Sequence, residues 1–207
     1  MVLNEYRDTA DKILLPIAKR MSNINPNLIS WMAFIFAVLS GASYFLSTTY
    51  LVLLGGIFLG LNSLFDALDG KVAKINDQAS IRGDFLDHTL DRYADIFIIS
   101  GIVLGSLCRL WIGFFAILGV LMTSYMGTQA HAVGVSRNYG GIAGRADRLA
   151  LLILTTITFV LLSIFGMTSF TIMTFDLKIF EILMIWFAVT GNLTAVQRGI
   201  QTWKDLG

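Results

Sequence analysis

Apolar runs of membrane-spanning length alternate with short polar breaks along most of the chain. Their edges predict six helices, at roughly residues 26–47, 51–75, 81–106, 110–134, 147–166 and 176–203. Each approaches or exceeds the roughly 20 residues that cross a hydrocarbon core. The first opens at Asn25-Pro26, a capping residue followed by proline, whose fixed φ suits the first helical position. Ahead of it, Leu3, Tyr6, Ala10, Ile13, Leu14, Ile17 and Met21 recur at helical spacing, while Arg7, Lys12, Lys19 and Arg20 stay off that stripe. The pattern predicts an amphipathic helix over residues 1–22, lying at a membrane surface and interrupted or kinked at Pro16. The expected fold is an all-α integral membrane protein: six transmembrane helices behind an N-terminal amphipathic juxtamembrane helix, in one domain over residues 1–207.

Composition points the same way. Of 207 residues, 56% are hydrophobic and 14% charged, where a soluble domain has about a quarter charged. The net charge of +1 gives no reason to expect nucleic acid, and the single cysteine, Cys108, excludes an internal disulfide. Charges at Glu5, Arg7, Asp8, Asp11 and Lys12 precede any long apolar run, which argues against a cleaved signal peptide. Six spans bring both termini to one side. Of the Lys and Arg residues, Arg109 and Lys178 fall at the opposite end and Arg92 lies within the third span; the rest gather on the side of the termini. That side is expected to be cytoplasmic, in a cell membrane.

One polar stretch does not belong to an ordinary span. Residues 66–91 read DALDGKVAKINDQASIRGDFLDHTLD. Asp66, Asp69 and Ala73 share one face of the second span, with Gly70 beside them; Asp87 and Asp91 share a face of the third, with Asp84 and Asp95 near the same stripe. A short connection near residues 75–80 makes the two helices antiparallel neighbours, so two carboxylate pairs face each other. Carboxylates in a membrane are costly and repel one another. Lys71, Lys74, Arg82 and Arg92 offer partial compensation, as an internal ion-pair cluster. Two divalent cations, Mg²⁺ or Mn²⁺, neutralise four carboxylates outright and prefer oxygen ligands. Gly70 and Gly83 leave space for a bound phosphate.

The spacing Asp66-x2-Asp69-Gly70-x2-Ala73-Lys74-x8-Gly83-x3-Asp87-x3-Asp91 resembles the signature D-x2-D-G-x2-A-R-x8-G-x3-D-x3-D of the CDP-alcohol phosphatidyltransferase family. Lys74 replaces the family arginine, keeping the charge without the bidentate fork. The resemblance implies a transferase that joins a CDP-linked lipid to a small polar alcohol and releases CMP. It implies two metal ions held by Asp66, Asp69, Asp87 and Asp91, with Asp91 as the general base. It implies CDP contacts from Asp66, Asp69, Gly70, Ala73, Lys74 and Gly83; Asn62, one turn earlier on the same stripe, either meets the nucleotide too or bonds a neighbouring helix. Family members tend to be homodimers.

The second substrate is sought in GGIAGRADRL and VQRGIQTW, at residues 140–149 and 196–203. Arg145 and Arg148 stand at a helix start, an awkward place for cations beside a helix dipole, and Arg198 lies at the same end of the last span. Ordinary anchoring of the cytoplasmic side is the plain alternative. These runs are similar to the inositol-phosphate branch of the family, its archaeal members in particular. They imply an acceptor phosphate bound by Arg145, Arg148 and Arg198, with Arg137 nearby, and inositol phosphate as the acceptor; glycerol phosphate and serine stay open. Gly127 stands where bacterial members carry lysine. His88, one residue past Asp87, either lines the site or makes a local hydrogen bond. A cation-coupled transporter is the rival from another class, but neither broken helices nor inverted repeats are evident.

Overall fold

The computed structural model describes residues 7–136, 140–142, 144–167, 169–172 and 175–207. Seven helices follow in order: α1 (Arg7–Arg20), α2 (Pro26–Leu46), α3 (Thr49–Ile75), α4 (Ile81–Leu104), α5 (Leu110–Ala132), α6 (Arg145–Ile164) and α7 (Ile179–Asp205). Local chemistry sets their starts. The Asn25 side chain accepts from Asn27 N–H at 2.9 Å ahead of α2, and Ser80 Oγ accepts from Gly83 N–H at 3.1 Å ahead of α4. Asp147 accepts from Gly144 N–H at 2.9 Å, which starts α6 at residue 145 rather than 147. Helix α1 runs through Pro16 without a break.

Five helices, α2, α3, α5, α6 and α7, are long and apolar enough to cross a membrane, and the chain is a multi-pass membrane protein. The sequence reading counts six. The difference is α4, whose first 15 residues carry Arg82, Asp84, Asp87, Asp91, Arg92 and Asp95. The last span also differs. Residues 176–178, read as its first turn, belong to a strand instead: β2 (Phe175–Lys178) pairs antiparallel with β1 (Ser169–Ile172), Ser169 opposite Lys178. Helix α7 then starts at Ile179, where Lys178 N–H donates to Glu181 Oε2 at 3.0 Å.

Small residues at the contacts let the helices approach closely, as is usual among lipids. On α2 the buried stripe is Ser30, Ala33, Ala37, Gly41 and Tyr44, while Trp31, Ile35 and Leu39 are exposed. A Cβ built on Gly101 would lie 2.0 Å from Gly41 O, so α2 and α4 cross at backbone contact that only glycine allows. Gly119 and Gly191 do the same for α5 and α7. Helix α2 packs on both α3 and α4, α5 on α7, and α6 bridges α3 and α7. Tyr44 Oη meets Thr156 Oγ1 at 2.7 Å in the core, and Gly56 leaves the space that Thr156 occupies. Helix α1 lies on α3, where Ala18 joins Ile29, Leu68 and Val72 in a small second core.

The end of the bundle away from the α3–α4 turn is closed by a buried carboxylate. Glu181, 1% exposed, accepts from Arg109 N–H at 2.9 Å and pairs with Arg109 Nε at 3.0 Å. Lys178 Nζ meets the Ser106 carbonyl nearby.

Candidate active site

The α3–α4 turn brings the C-terminal half of α3 against the N-terminal half of α4. Asn76 Nδ2 donates to Ser22 O at 2.6 Å, tying that turn to the α1–α2 link. Asp66, Asp69, Asp87 and Asp91 thereby line one narrow cavity, together with Asn62, Ser30 and Arg145. Asp69 and Asp91 are buried, Asp66 and Asp87 partly so.

Each carboxylate has a different partner. Ser30 Oγ donates to Asp69 Oδ2 at 2.6 Å. Arg145 Nη1 lies 2.7 Å from Asp66 Oδ2 and 2.7 Å from Asp91 Oδ1. Arg92 Nη2 is 3.3 Å from Asp91 Oδ2. Asp95, buried behind them, faces Arg148 Nη2 at 3.4 Å and Arg145 Nε at 3.7 Å. Among the described residues, no Lys or Arg pairs with Asp69 or Asp87. His88 Nε2 is 3.3 Å from Asp84 Oδ1, and the donor atoms of Asp87, His88 and Asp91 lie within 4.8 Å of one another.

Asp69 and Asp87 also open onto a cleft of about 200 Å³. Its walls are Gly70, Ala73 and Lys74 from α3, Gly83 and Asp84 from α4, and the connecting residues Gln78, Ala79 and Ser80. The start of α2 adds Pro26, Asn27 and Ser30. A Cβ on Gly70 would meet nothing within 4 Å, so that glycine borders open space and no protein atom fills it. The sequence reading did not include the α2 residues. The helix-start signal Asn25-Pro26-Asn27 was visible, but nothing in it says which helix end it adjoins.

This donor set fits a divalent cation. Four carboxylates from two helices line one cavity, two of them without a cationic side chain among the described residues, and hard cations prefer such oxygens. Asn62 Nδ2 donates to Ala33 O at 3.0 Å, while its Oδ1 is buried without a partner in the same cavity.

The arginines do not converge as the sequence suggests. Arg145 and Arg148 point into the aspartate cluster, because Asp66, Asp91 and Asp95 supply the nearest charge for a cation at the start of α6. Arg198, 7% exposed, instead donates through Nε to Gly140 O at 2.7 Å and through Nη1 to Thr123 O at 2.5 Å. It has no carboxylate partner among the described residues. It lines a second cleft of about 380 Å³ with Gly140, Gly141, Gln197, Gln201 and Lys204. Arg148 stands close enough for its charge to act on Arg198. Arg137 lies outside the described residues.

The archaetidylinositol phosphate synthase of Pyrococcus horikoshii is 31% identical over 158 residues, covering 75% of this chain and 82% of that protein. That of Methanothermobacter thermautotrophicus is 29% identical over 205 residues, covering 99% and 96%. The fold is similar to crystal structures of Mycobacterium tuberculosis phosphatidylinositol phosphate synthase. The structure with CDP-DAG bound gives a TM-score of 0.74 at 21% identity, over 93% of this chain and 94% of that one. The complex with manganese and citrate also gives 0.74 at 21% identity, over 92% and 88%. The sequence model for CDP-alcohol phosphatidyltransferases matches residues 23–196, and the chain belongs to that family.

Proposed function

We propose that this chain moves a phosphatidyl-type group from a CDP-linked lipid, CDP-archaeol or CDP-diacylglycerol, to the hydroxyl of inositol phosphate, releasing CMP. The observation that carries the reading is the gathering of Asp66, Asp69, Asp87 and Asp91 beside a cleft walled by Gly70, Ala73, Lys74 and Gly83. The acceptor is inferred from the relatives, which are named for archaetidylinositol phosphate and phosphatidylinositol phosphate.

The four aspartates would hold two Mg²⁺ or Mn²⁺ ions, which supply positive charge to a bound diphosphate and to the departing CMP. The side chains do the rest. Lys74 reaches the diphosphate as a point charge, and Gly70 and Gly83 let it approach the helix backbones. Asn62 offers its free carbonyl oxygen to the site. Asp91 takes the acceptor's hydroxyl proton as the oxygen attacks the lipid-side phosphorus. The phosphorus–oxygen bond to CMP breaks, its electrons leaving on the CMP phosphate, and no covalent bond to the enzyme forms. The second cleft suits the acceptor. Arg198 is a buried cation without a carboxylate, which favours an anion beside it. Gln197 and Gln201 offer amide donors and acceptors for a polyol.

In this reading α4 is the sixth span of a single domain. The termini and both clefts face the cytoplasm on the side rich in Lys and Arg. Helix α1 lies along the membrane surface, and the lipid enters sideways. The test is CMP release from each CDP-lipid with Mg²⁺ and inositol phosphate, glycerol phosphate, serine or free inositol. Inositol phosphate is expected to be the best acceptor. A clear preference for another would overturn the acceptor, and no CMP with any of them would overturn the reaction.

A further inference from the structure

Arg145 makes an incomplete fit where it sits. One nitrogen, Nη1, serves two carboxylates on different helices, Asp66 on α3 and Asp91 on α4. Its Nε and Nη2 are buried without hydrogen-bond partners. A guanidinium carries five donors in one plane and binds carboxylates best through two parallel bonds. Here three of its five N–H groups make no hydrogen bond inside the protein, although Nε lies 3.7 Å from Asp95 Oδ1. Asn62, 1% exposed, leaves its Oδ1 unpartnered in the same cavity. With Arg145 in place the remaining void is about 10 Å³, roughly enough for one water molecule. Asp69 and Asp87 differ: they face the open cleft and pair with no Lys or Arg among the described residues.

The cluster is thus divided. Its Asp69–Asp87 side is open to a cation, and its Asp66–Asp91 side is already held by an arginine. Resting on the two-cation reading above, we infer that Arg145 is an internal cation that competes with the second metal ion for Asp66 and Asp91, rather than a ligand of the acceptor. A dication held by these carboxylates would lie beside the guanidinium, and like charges repel. Arg145 brings one charge to two carboxylates, of which only Asp91 has a second cation, Arg92 at 3.3 Å, whereas a dication brings two charges. Arg145 is the first residue of α6, so its side chain can leave without unwinding a turn. In this role Arg145 keeps the Asp66 and Asp91 carboxylates together while the metal is absent. It also makes the two ions bind unequally: the first at the open side, the second only against the arginine.

The experiment is Mn²⁺ binding to the detergent-solubilised full chain without substrates, followed by the electron paramagnetic resonance of free Mn²⁺. The native protein is expected to show one tight and one weaker site. In Arg145→Gln the weaker site should tighten by about tenfold or more, since a charge-assisted contact no longer opposes it. Its thermal stability should fall in chelator and recover further with Mn²⁺ than the native protein's does. An unchanged or weakened second site overturns the inference. Asp69→Asn separates the two levels. If it loses the tight site while Arg145→Gln gains nothing, the inference falls and the metal reading stands. If Asp69→Asn and Asp87→Asn both bind Mn²⁺ like the native protein, the metal reading itself falls. Should Arg145→Gln not fold, Arg145→Lys carries the same test. It keeps the charge without the span to both carboxylates, and its second site must also tighten.

Discussion

Ser30→Ala removes one oxygen from α2 and is expected to weaken cation binding without touching a ligand. Ser30 Oγ–H faces two acceptors, Asp69 Oδ2 at 2.6 Å and Pro26 O at 3.2 Å. The shorter contact and the charged acceptor assign the proton to Asp69. That bond pins one carboxylate oxygen and leaves the other for the cleft. A hydrogen bond to a charged group contributes about 1.5–3 kcal/mol, which is roughly 10- to 100-fold in affinity if it were lost from the bound state alone. The bond exists without metal as well, so part of the loss cancels and about tenfold is expected. Mn²⁺ titration of the solubilised protein measures it directly, and CMP release at graded Mn²⁺ measures it in turnover. The Mn²⁺ concentration for half-maximal rate should rise, while the rate at saturating Mn²⁺ stays near the native value. Unchanged Mn²⁺ affinity in Ser30→Ala, or a fall in rate that saturating Mn²⁺ does not restore, would refute the reasoning.

Asp91→Asn should abolish CMP release, a loss of about 10²- to 10⁴-fold if base catalysis is its main task, while Mn²⁺ still binds at the Asp69–Asp87 side; retained turnover would move the base elsewhere. Lys74→Ala should raise KM for the CDP-lipid more than KM for the acceptor, and Lys74→Arg should preserve the native balance; equal effects on both substrates would detach Lys74 from the nucleotide. Glu181→Ala leaves Arg109 and the Lys178 N–H without their shared acceptor at the end of the bundle far from the aspartates. It should cost about 3 kcal/mol of unfolding stability, the low end for breaking a buried pair because Arg109 is partly solvated, with kcat unchanged; a thermal melt beside an activity assay checks both.

The helices were legible because lipid-length apolar runs leave the backbone few alternatives, and the aspartate faces because helical spacing is arithmetic. What escaped depends on distance in the chain. Ser30 lies 39 residues before Asp69, and no periodicity links an isolated serine on one helix to a carboxylate on another. Most of the second strand was absorbed into the last span because Leu177 continues the apolar run, while the first strand lay between spans. Only pairing with Ser169–Ile172 distinguishes the second strand. Arg145 and Arg148 were assigned by residue type and family likeness, yet each was free to reach any anion within a side chain's length. Asp66, Asp91 and Asp95 are the anions that the packing of α6 places there.

The Tyr44–Thr156 hydroxyl pair has a consequence at a distance. Thr156 follows Arg145 by 11 residues on the same helix, about three turns or 16 Å of rise. A slip of α6 by one residue would break that contact, shift Arg145 by about 1.5 Å and rotate it about 100° away from its carboxylates. One phenol in the dry centre of the bundle therefore acts as an index mark, fixing the depth to which a charged side chain penetrates at the rim.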